Sequence, residues 1–423
     1  VPTIYEFIAR LLVITALFAW INQRYLRLPN TVGIMAMGIC ASLILIALEV
    51  AVPQIALFGQ IEGHLRTMDF SYALLHGMLA FLLFAGAIQI DLSLLRERAW
   101  TVGAMATLGV IISTVLVGGL IWGASQVLPQ PIPFAWALVF GALISPTDPV
   151  AVLNVLKQAK VDKTLEMDMA GESLFNDGVS VVLFTVLLSA AVSGAGDSGI
   201  DFGRIAELFF VEALGGAALG LFAGYLAYLG LRSIKDYPTE ILILLALVTG
   251  TYSFAQVHGF SGPIAVVVAG VLIGNRGRRL AMDGDTERYI YAFWGLVDEV
   301  LNAILFLLIG LEVIVVQFDV SLLPLALAAI PIVLAARFFA VALPMAFVGF
   351  KQHYVKGTVP ILTWGGVRGG VCVALALTIP HIDSRPQILA ATYAVVLFSL
   401  VVQSLTLPAV VRRFAPETKR TDE

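Results

Sequence analysis

The chain has 423 residues, 59% of them hydrophobic and only 13% charged, with a formal net charge of −4 and a mean hydropathy of +0.94. Soluble domains carry about 25% charged residues, so this composition excludes a water-soluble enzyme and a nucleic-acid-binding protein. It describes a polytopic membrane protein, whose length need not mean several domains. Cys40 and Cys372 both fall in apolar runs, which suggests neither a disulfide framework nor a thiol centre.

Thirteen apolar segments can be marked, at about 4–22, 31–50, 72–92, 100–123, 133–154, 168–193, 204–230, 239–257, 262–275, 290–316, 321–348, 357–380 and 386–411. The first lacks a signal-peptidase-like ending and reads as a retained helix. The predicted fold class is therefore an all-α polytopic membrane protein of about 13 transmembrane helices. It forms a single transmembrane domain over 1–423, closed by a short cytoplasmic tail at 412–423. Several segments are short or interrupted by Gly and Pro, which a bundle interior tolerates better than a lipid face. The longest connection is 51–71.

Lys and Arg are distributed very unevenly over alternate connections. Nineteen of the 25 fall in one set, which includes Arg24, Arg27, Arg96, Arg98, Lys157, Lys160, Lys163, Arg278, Arg279, Lys351, Lys356, Lys419 and Arg420. The other set holds only Arg66, Arg204 and Arg385, while Arg10, Arg337 and Arg368 lie within spans. Basic connections stay on the cytoplasmic side. This predicts an outside N-terminus, a cytoplasmic C-terminus and a multi-pass protein of the cell membrane.

Segment five is broken at Ser145–Pro149, and segment twelve at Thr363–Gly370. Interrupted helices at matching positions of two repeats point to a transporter's binding site. Segments one to six (repeat one, about 4–193) and eight to thirteen (repeat two, about 239–411) are then two inverted six-helix repeats. Segment seven (about 204–230) links them, and Gly216, Gly220 and Gly224 give it a close-packing face.

The chemistry concentrates between Ile144 and Val181. Asp148 stands between Pro146 and Pro149, which disrupt the helix hydrogen bonds around it. Freed carbonyls and the end of the first half-helix favour a cation, and the start of the second favours an anion such as Asp148. The plainer alternative is a proline kink with Asp148 as a helix cap. One segment later, Glu172, Asn176, Ser173 and Asp177 fall at about 0°, 40°, 100° and 140° around a helix, one side of it. A charge at that depth costs several kcal/mol or takes up a proton. Two carboxylates, an amide and a hydroxyl offer oxygen ligands for a hard, small cation, and no Cys/His cluster accompanies them for zinc or copper. The plainer alternative is a polar packing seam.

Arg337 and Arg368 cannot lose their protons, so each needs an anionic or carbonyl partner. The buried acids available are Glu172, Asp148 and Asp177, with Asp298 and Glu299 in segment ten. A Glu172–Arg337 ion pair would leave Asp177 free to titrate. Arg368 would balance carbonyl ends exposed by its own break. A clamp for a substrate anion is the rival role of both arginines. His64, His76, His258, His353 and His381 read as solvated residues of loops and helix ends.

The motifs Ser-Pro-Thr-Asp-Pro-Val (145–150) and Gly-Glu-Ser-Leu-Phe-Asn-Asp-Gly-Val (171–179) carry a family resemblance. So do Ser261-Gly262, Val266–Gly270, Gly274-Asn275 and Gly-Gly-Val-Arg-Gly-Gly (365–370). Together they resemble the monovalent cation/proton antiporters of the bacterial and archaeal sodium/proton exchanger type, over nearly the whole chain. The resemblance implies an inverted-repeat fold, a homodimer and rocking or elevator-like alternating access. It implies electroneutral exchange, because Asn176-Asp177 resembles the Asn-Asp branch. It also implies that Asp177, Asp148, Ser173 and the Thr147 carbonyl are Na⁺ ligands, that Asn176 organises the site, and that Glu172–Arg337 is a structural pair. Two positions depart from the pattern: Ala85 and Gln256 stand where relatives often carry Glu.

The expected function is exchange of Na⁺ (or Li⁺, or K⁺) for H⁺ by competition at one buried carboxylate, with no enzyme activity and no cofactor. The partners are monovalent cations, protons, the bilayer and a second copy of the chain, and no nucleic acid. The alternatives are a cation-coupled organic-anion transporter, an intramembrane aspartyl protease built on Asp148 and Asp177, and a sensor or channel on a transporter scaffold.

Overall fold

The computed structural model describes residues 4–51, 77–128, 130–159, 161–193, 202–277, 284–312, 320–349, 354 and 357–414. The connection 51–71 beyond its first residue, the start of segment three, and the tail from 415 lie outside them. So do Arg66, Lys160, Arg278, Arg279, Lys351, Lys356, Lys419, Arg420, His64, His76 and His353. Among the described residues all regular structure is helical. The first half runs α1 (Ile4–Ile21), α2 (Asn30–Ala51), α3 (Leu79–Ile88), α4 (Leu92–Glu97), α5 (Ala99–Val127), α6 (Phe134–Leu143), α7 (Val150–Ala159) and α8 (Lys163–Val192). After these come α9 (Phe202–Ser233), α10 (Tyr237–Val257), α11 (Gly262–Leu272), α12 (Gly284–Glu312), α13 (Leu323–Val348), α14 (Thr358–Trp364), α15 (Gly370–Leu377) and α16 (Arg385–Phe414).

Each predicted apolar segment contains helix, and segments five and twelve are interrupted where the prolines and glycines stand. Among the described residues seven helices are long and apolar enough to cross a bilayer unaided. The other segments are half-helices, short or bent: α3 and α6 have 10 residues each, and α1 and α2 meet at a bend of 109°. Local signals set the helix starts. Asp162 caps α8 by accepting from the Thr164 N–H at 2.8 Å. Asp236 caps α10 and Ser261 caps α11, each with a proline in the first helical turn.

The core falls into three apolar clusters, the smallest of them Leu11 and Ile34 against Leu307 and Leu308. One apolar cluster joins α5, α6, α8, α13, α15 and α16 around the two breaks. A second gathers α3, α9, α10, α11 and α12 around Phe84 and Trp294. The stripe Gly216, Gly220, Gly224 seats the backbone of α11 against α9: a Cβ at 224 would come within 3.1 Å of the Ala269 Cα. That is a packing role. The site forms where α8, part of the first cluster, passes the two breaks.

Candidate functional site

Pro149 and Pro146 stop α6 at Leu143 and postpone the next helix to Val150. Glycines do the same between Trp364 and Gly370. The two extended stretches cross, joined by a backbone hydrogen bond from the Asp148 N–H to the Val367 carbonyl at 2.7 Å. Their approach is close enough that a Cβ at Gly369 would lie 2.7 Å from both Cβ and Oδ2 of Asp148. Asp148 thus stands against the residue that leads into α15, where a helix start favours an anion.

Arg368, 2% exposed, crosses the other way. Its guanidinium donates to the Ser145 carbonyl and, at 3.1 Å, to the Pro146 carbonyl. The expectation that it would balance carbonyls of its own break is therefore corrected: it satisfies carbonyls freed in the partner break. The reason is reach, because a guanidinium fork extends beyond its own backbone to the nearest unpaired acceptors. The Arg368 N–H donates to Ser399 Oγ at 3.1 Å. The second break's own Trp364 carbonyl is met by Gln403 Nε2 at 2.9 Å.

The polar arc of α8 faces this crossing. Thr147 and Ser173 hydroxyls lie 2.9 Å apart, and Asn176 Nδ2 donates to Thr147 Oγ1 at 3.0 Å. Glu172 forms a bidentate pair with Arg337 of α13, through Nη1 to Oε1 and through Nη2 to Oε2 at 2.8 Å. Arg337 Nη2 also donates to the Leu362 carbonyl at 3.1 Å, at the end of α14. Gly366 makes room for this guanidinium, since a Cβ there would overlap it.

A cavity of about 1200 Å³ opens onto the crossing, with Thr147, Asp148, Asp177 and Gly369 among its lining residues. Its wall also carries Asp298 and Glu299 of α12. Asp298 accepts from Asn302 Nδ2 at 3.0 Å, and Glu299 accepts from Asn30 Nδ2 at 3.1 Å. At its mouth stand Arg27, Asp91, Lys157 and Lys163, the ends of connections rich in Lys and Arg. Glu172 is not among the lining residues. Ala85 is buried in the second apolar cluster, and Gln256 is exposed in the last turn of α10. His258 is also exposed, stacked on Phe254 with ring centroids 4.0 Å apart.

A second buried ion pair escaped the sequence reading. Arg98 Nε donates to Asp168 Oδ1 at 2.8 Å, and Nη2 to Oδ2. The guanidinium lies over the Tyr354 ring, 5.1 Å from its centroid. Asp168 is one turn before Glu172 on the same face, so the polar arc was open to extension by counting back four residues. Outside the membrane-spanning core, Asp162 is held below the usual carboxylate range, chiefly by the hydroxyl and N–H of Thr164.

The description "Sodium/hydrogen exchanger, transmembrane" belongs to a family whose model matches residues 12–413. The chain belongs to this family. The exchanger-family chain is 42% identical over 413 residues to the Na⁺/H⁺ antiporter NhaP of Pseudomonas aeruginosa, covering 96% of each. It is 33% identical over 374 residues to the Na⁺/H⁺ antiporter NhaH of Halobacillus aidingensis, covering 88% of this chain and 91% of the relative. Its fold matches that of the sodium proton antiporter MjNhaP1 from Methanocaldococcus jannaschii, with a TM-score of 0.74, 21% identity, and 98% and 99% of the two chains covered. It is a multi-pass membrane protein of a transporter family.

Proposed function

We propose that this chain exchanges Na⁺ (or Li⁺, or K⁺) for H⁺, one for one, across the cell membrane. One observation carries the reading. Of the four acids on α8, Glu166 lies in the first turn, Asp168 and Glu172 are held by arginines, and Asp177, deep in the helix, reaches the cavity beside Thr147 and Asp148. A fixed carboxylate–arginine pair has no reason to change protonation, whereas an acid at the end of an aqueous path can hold either a proton or a cation. The cation is the cargo, ligated by Asp177, Asp148, Ser173 and the Thr147 carbonyl, with Asn176 fixing the unwound stretch. If the site changes sides only when occupied, exchange is obligatory and moves one positive charge each way.

The basic ends around the mouth favour a cavity open to the cytoplasm, with the N-terminus outside and the C-terminus inside. The two breaks support a pair of inverted repeats, and we take the working unit to be a homodimer. The organic-anion alternative finds little support, because Arg337 and Arg368 are both occupied by protein acceptors. The test is dissipation of an imposed ΔpH in proteoliposomes, followed by fluorescence dequenching, with Na⁺, Li⁺ and K⁺ added in turn. Cation-dependent proton efflux is expected. A proton gradient untouched by all three cations contradicts the reading.

A further inference from the structure

The first break leans on the second. The carbonyls of Ser145 and Pro146 are taken by the Arg368 guanidinium, and the Asp148 N–H by the Val367 carbonyl. The second break leans in turn on α16. In a continuous helix the N–H of residue 368 would donate to the carbonyl of residue 364, four positions back. Here the Arg368 N–H donates instead to Ser399 Oγ at 3.1 Å. The Ser399 hydroxyl donates to Gln403 Oε1, and Gln403 Nε2 donates to the Trp364 carbonyl at 2.9 Å. Two side chains of α16 are thus inserted into the one helix bond that the break has opened.

The insertion keeps the sense of the missing bond. A hydroxyl both accepts and donates, and a primary amide accepts at its oxygen and donates at its nitrogen. The bridge therefore starts at the same N–H and ends at the same carbonyl as the helix bond would. Ser399 and Gln403 are 1% and 2% exposed, so neither end of the bridge is shared with bulk water. They are the first and last residues of a five-residue π-turn within α16, a rare form found frequently at functional sites. Trp364 is tied to α16 a second time, its indole Nε1 donating to Thr406 Oγ1 at 2.9 Å. Neither Ser399 nor Gln403 lines the cavity, so neither meets a cation arriving through it.

We propose that Ser399 and Gln403 are positioning residues of the cation site, which keep the second break open and, through Arg368 and Val367, fix the backbone around Asp148. Without the bridge, the Trp364 carbonyl and the Arg368 N–H are left either unmet or free to pair with each other. Unmet buried groups destabilise the open break. Direct pairing would wind it toward helix and draw Arg368 and Val367 away from Ser145, Pro146 and Asp148. Both outcomes loosen the first break, whereas Asp177 stays in place on the unbroken α8. The bridge therefore acts on cation affinity through Asp148 and its neighbours. The inference rests on the exchange reading given above.

The test uses the full chain with Ser399→Ala, Gln403→Met and the double variant, and with Ser399→Thr as the conservative control. Each single change should raise the KM for Na⁺ about three- to tenfold, the worth of one hydrogen bond, with the maximal rate little changed. Because both residues belong to one bridge, the double variant should raise the KM no further than the worse single. Melting temperatures in detergent should show the same coupling, falling by roughly 2–4 °C in each single and little more in the double. Ser399→Thr keeps the hydroxyl and should keep the KM of the wild type. Losses that simply add in the double variant overturn the bridge. A lowered melting temperature with an unchanged KM in Ser399→Ala overturns the positioning role, since a merely structural contact would lose stability alone. Ser399→Ala decides the KM by itself if Gln403→Met does not fold. A wild type without exchange would defeat the antiport reading instead, and the melting comparison would still decide the bridge.

Discussion

The first turns of α8 and the turn around Asp177 meet the same problem in opposite ways. At Asp168 and Glu172, 1% exposed each, a carboxylate deep in the core is answered by an arginine from another helix, Arg98 of the α4–α5 junction and Arg337 of α13. At Asp177 no arginine or lysine forms an ion pair among the described residues. The carboxylate instead shares the crossing of two broken helices with hydroxyls, an amide and a cavity. A fixed counter-ion makes an acid structural. An aqueous path in its place lets the charge be answered by whatever arrives, a proton or a cation. Five positions along one helix, from Glu172 to Asp177, separate the two solutions.

The largest effect should come from removing the exchangeable charge. Asp177→Asn should abolish cation-dependent proton flux in proteoliposomes while leaving the melting temperature near that of the wild type, because shape is kept. Retained flux would remove Asp177 from its role and erase the distinction between the two regions.

Breaking a fixed pair should do the reverse, with stability lost first. Arg337→Ala strands Glu172 as a buried acid without its partner, a loss of about 3–5 kcal/mol. Adding Glu172→Gln should recover part of it. A double variant no more stable in thermal melting than the single would mean that the pair is not what holds these helices together. Arg98→Ala should show the same sign with a smaller loss, about 1–3 kcal/mol, since Arg98 sits near the end of its helix and leans on the Tyr354 ring. Transport by Arg98→Ala protein that has folded should remain measurable.

The smallest effect concerns the start of α8. Asp162→Ala should cost about 1 kcal/mol through the lost cap. Because hydrogen bonds from Thr164 hold the Asp162 carboxyl below its ordinary range, its contribution is complete above the unfolded value of about 3.9. It is lost as pH falls through the lower folded value. The stability difference between wild type and variant should therefore be constant above about pH 5 and narrow in stronger acid. Thermal melting across that range checks it. A gap that widens in acid would give the cap the wrong sign.

Much of this arrangement was legible in the chain because its parts break local rules. Two prolines around an Asp, and four polar residues on one side of an apolar helix, stand out without any tertiary information. Other features could not be read. Arg98 looks like one more basic residue of a connection until the fold brings α8 beside it. Arg368 could be assigned a carbonyl partner by type, but which break supplied the carbonyls depended on two segments more than 200 residues apart meeting face to face. The broken helices also made counting crossings unreliable, since half-helices such as α14 and α15, of 7 and 8 residues, carry the site without spanning anything alone.

The central claim is that one carboxylate serves both substrates, and its most direct test is the apparent KM for Na⁺ as a function of pH. Only the ionised site takes a cation, so below the pKa of Asp177 the apparent KM should rise about tenfold for each pH unit of acidification. On the alkaline side protons become scarce as a substrate and the rate falls, giving a bell whose maximum moves to lower pH as Na⁺ increases. One charge crosses in each direction, so an imposed membrane potential should leave the rate nearly unchanged. An apparent KM that stays flat between about pH 6 and 8, or a current that reverses with voltage, would contradict competition at Asp177.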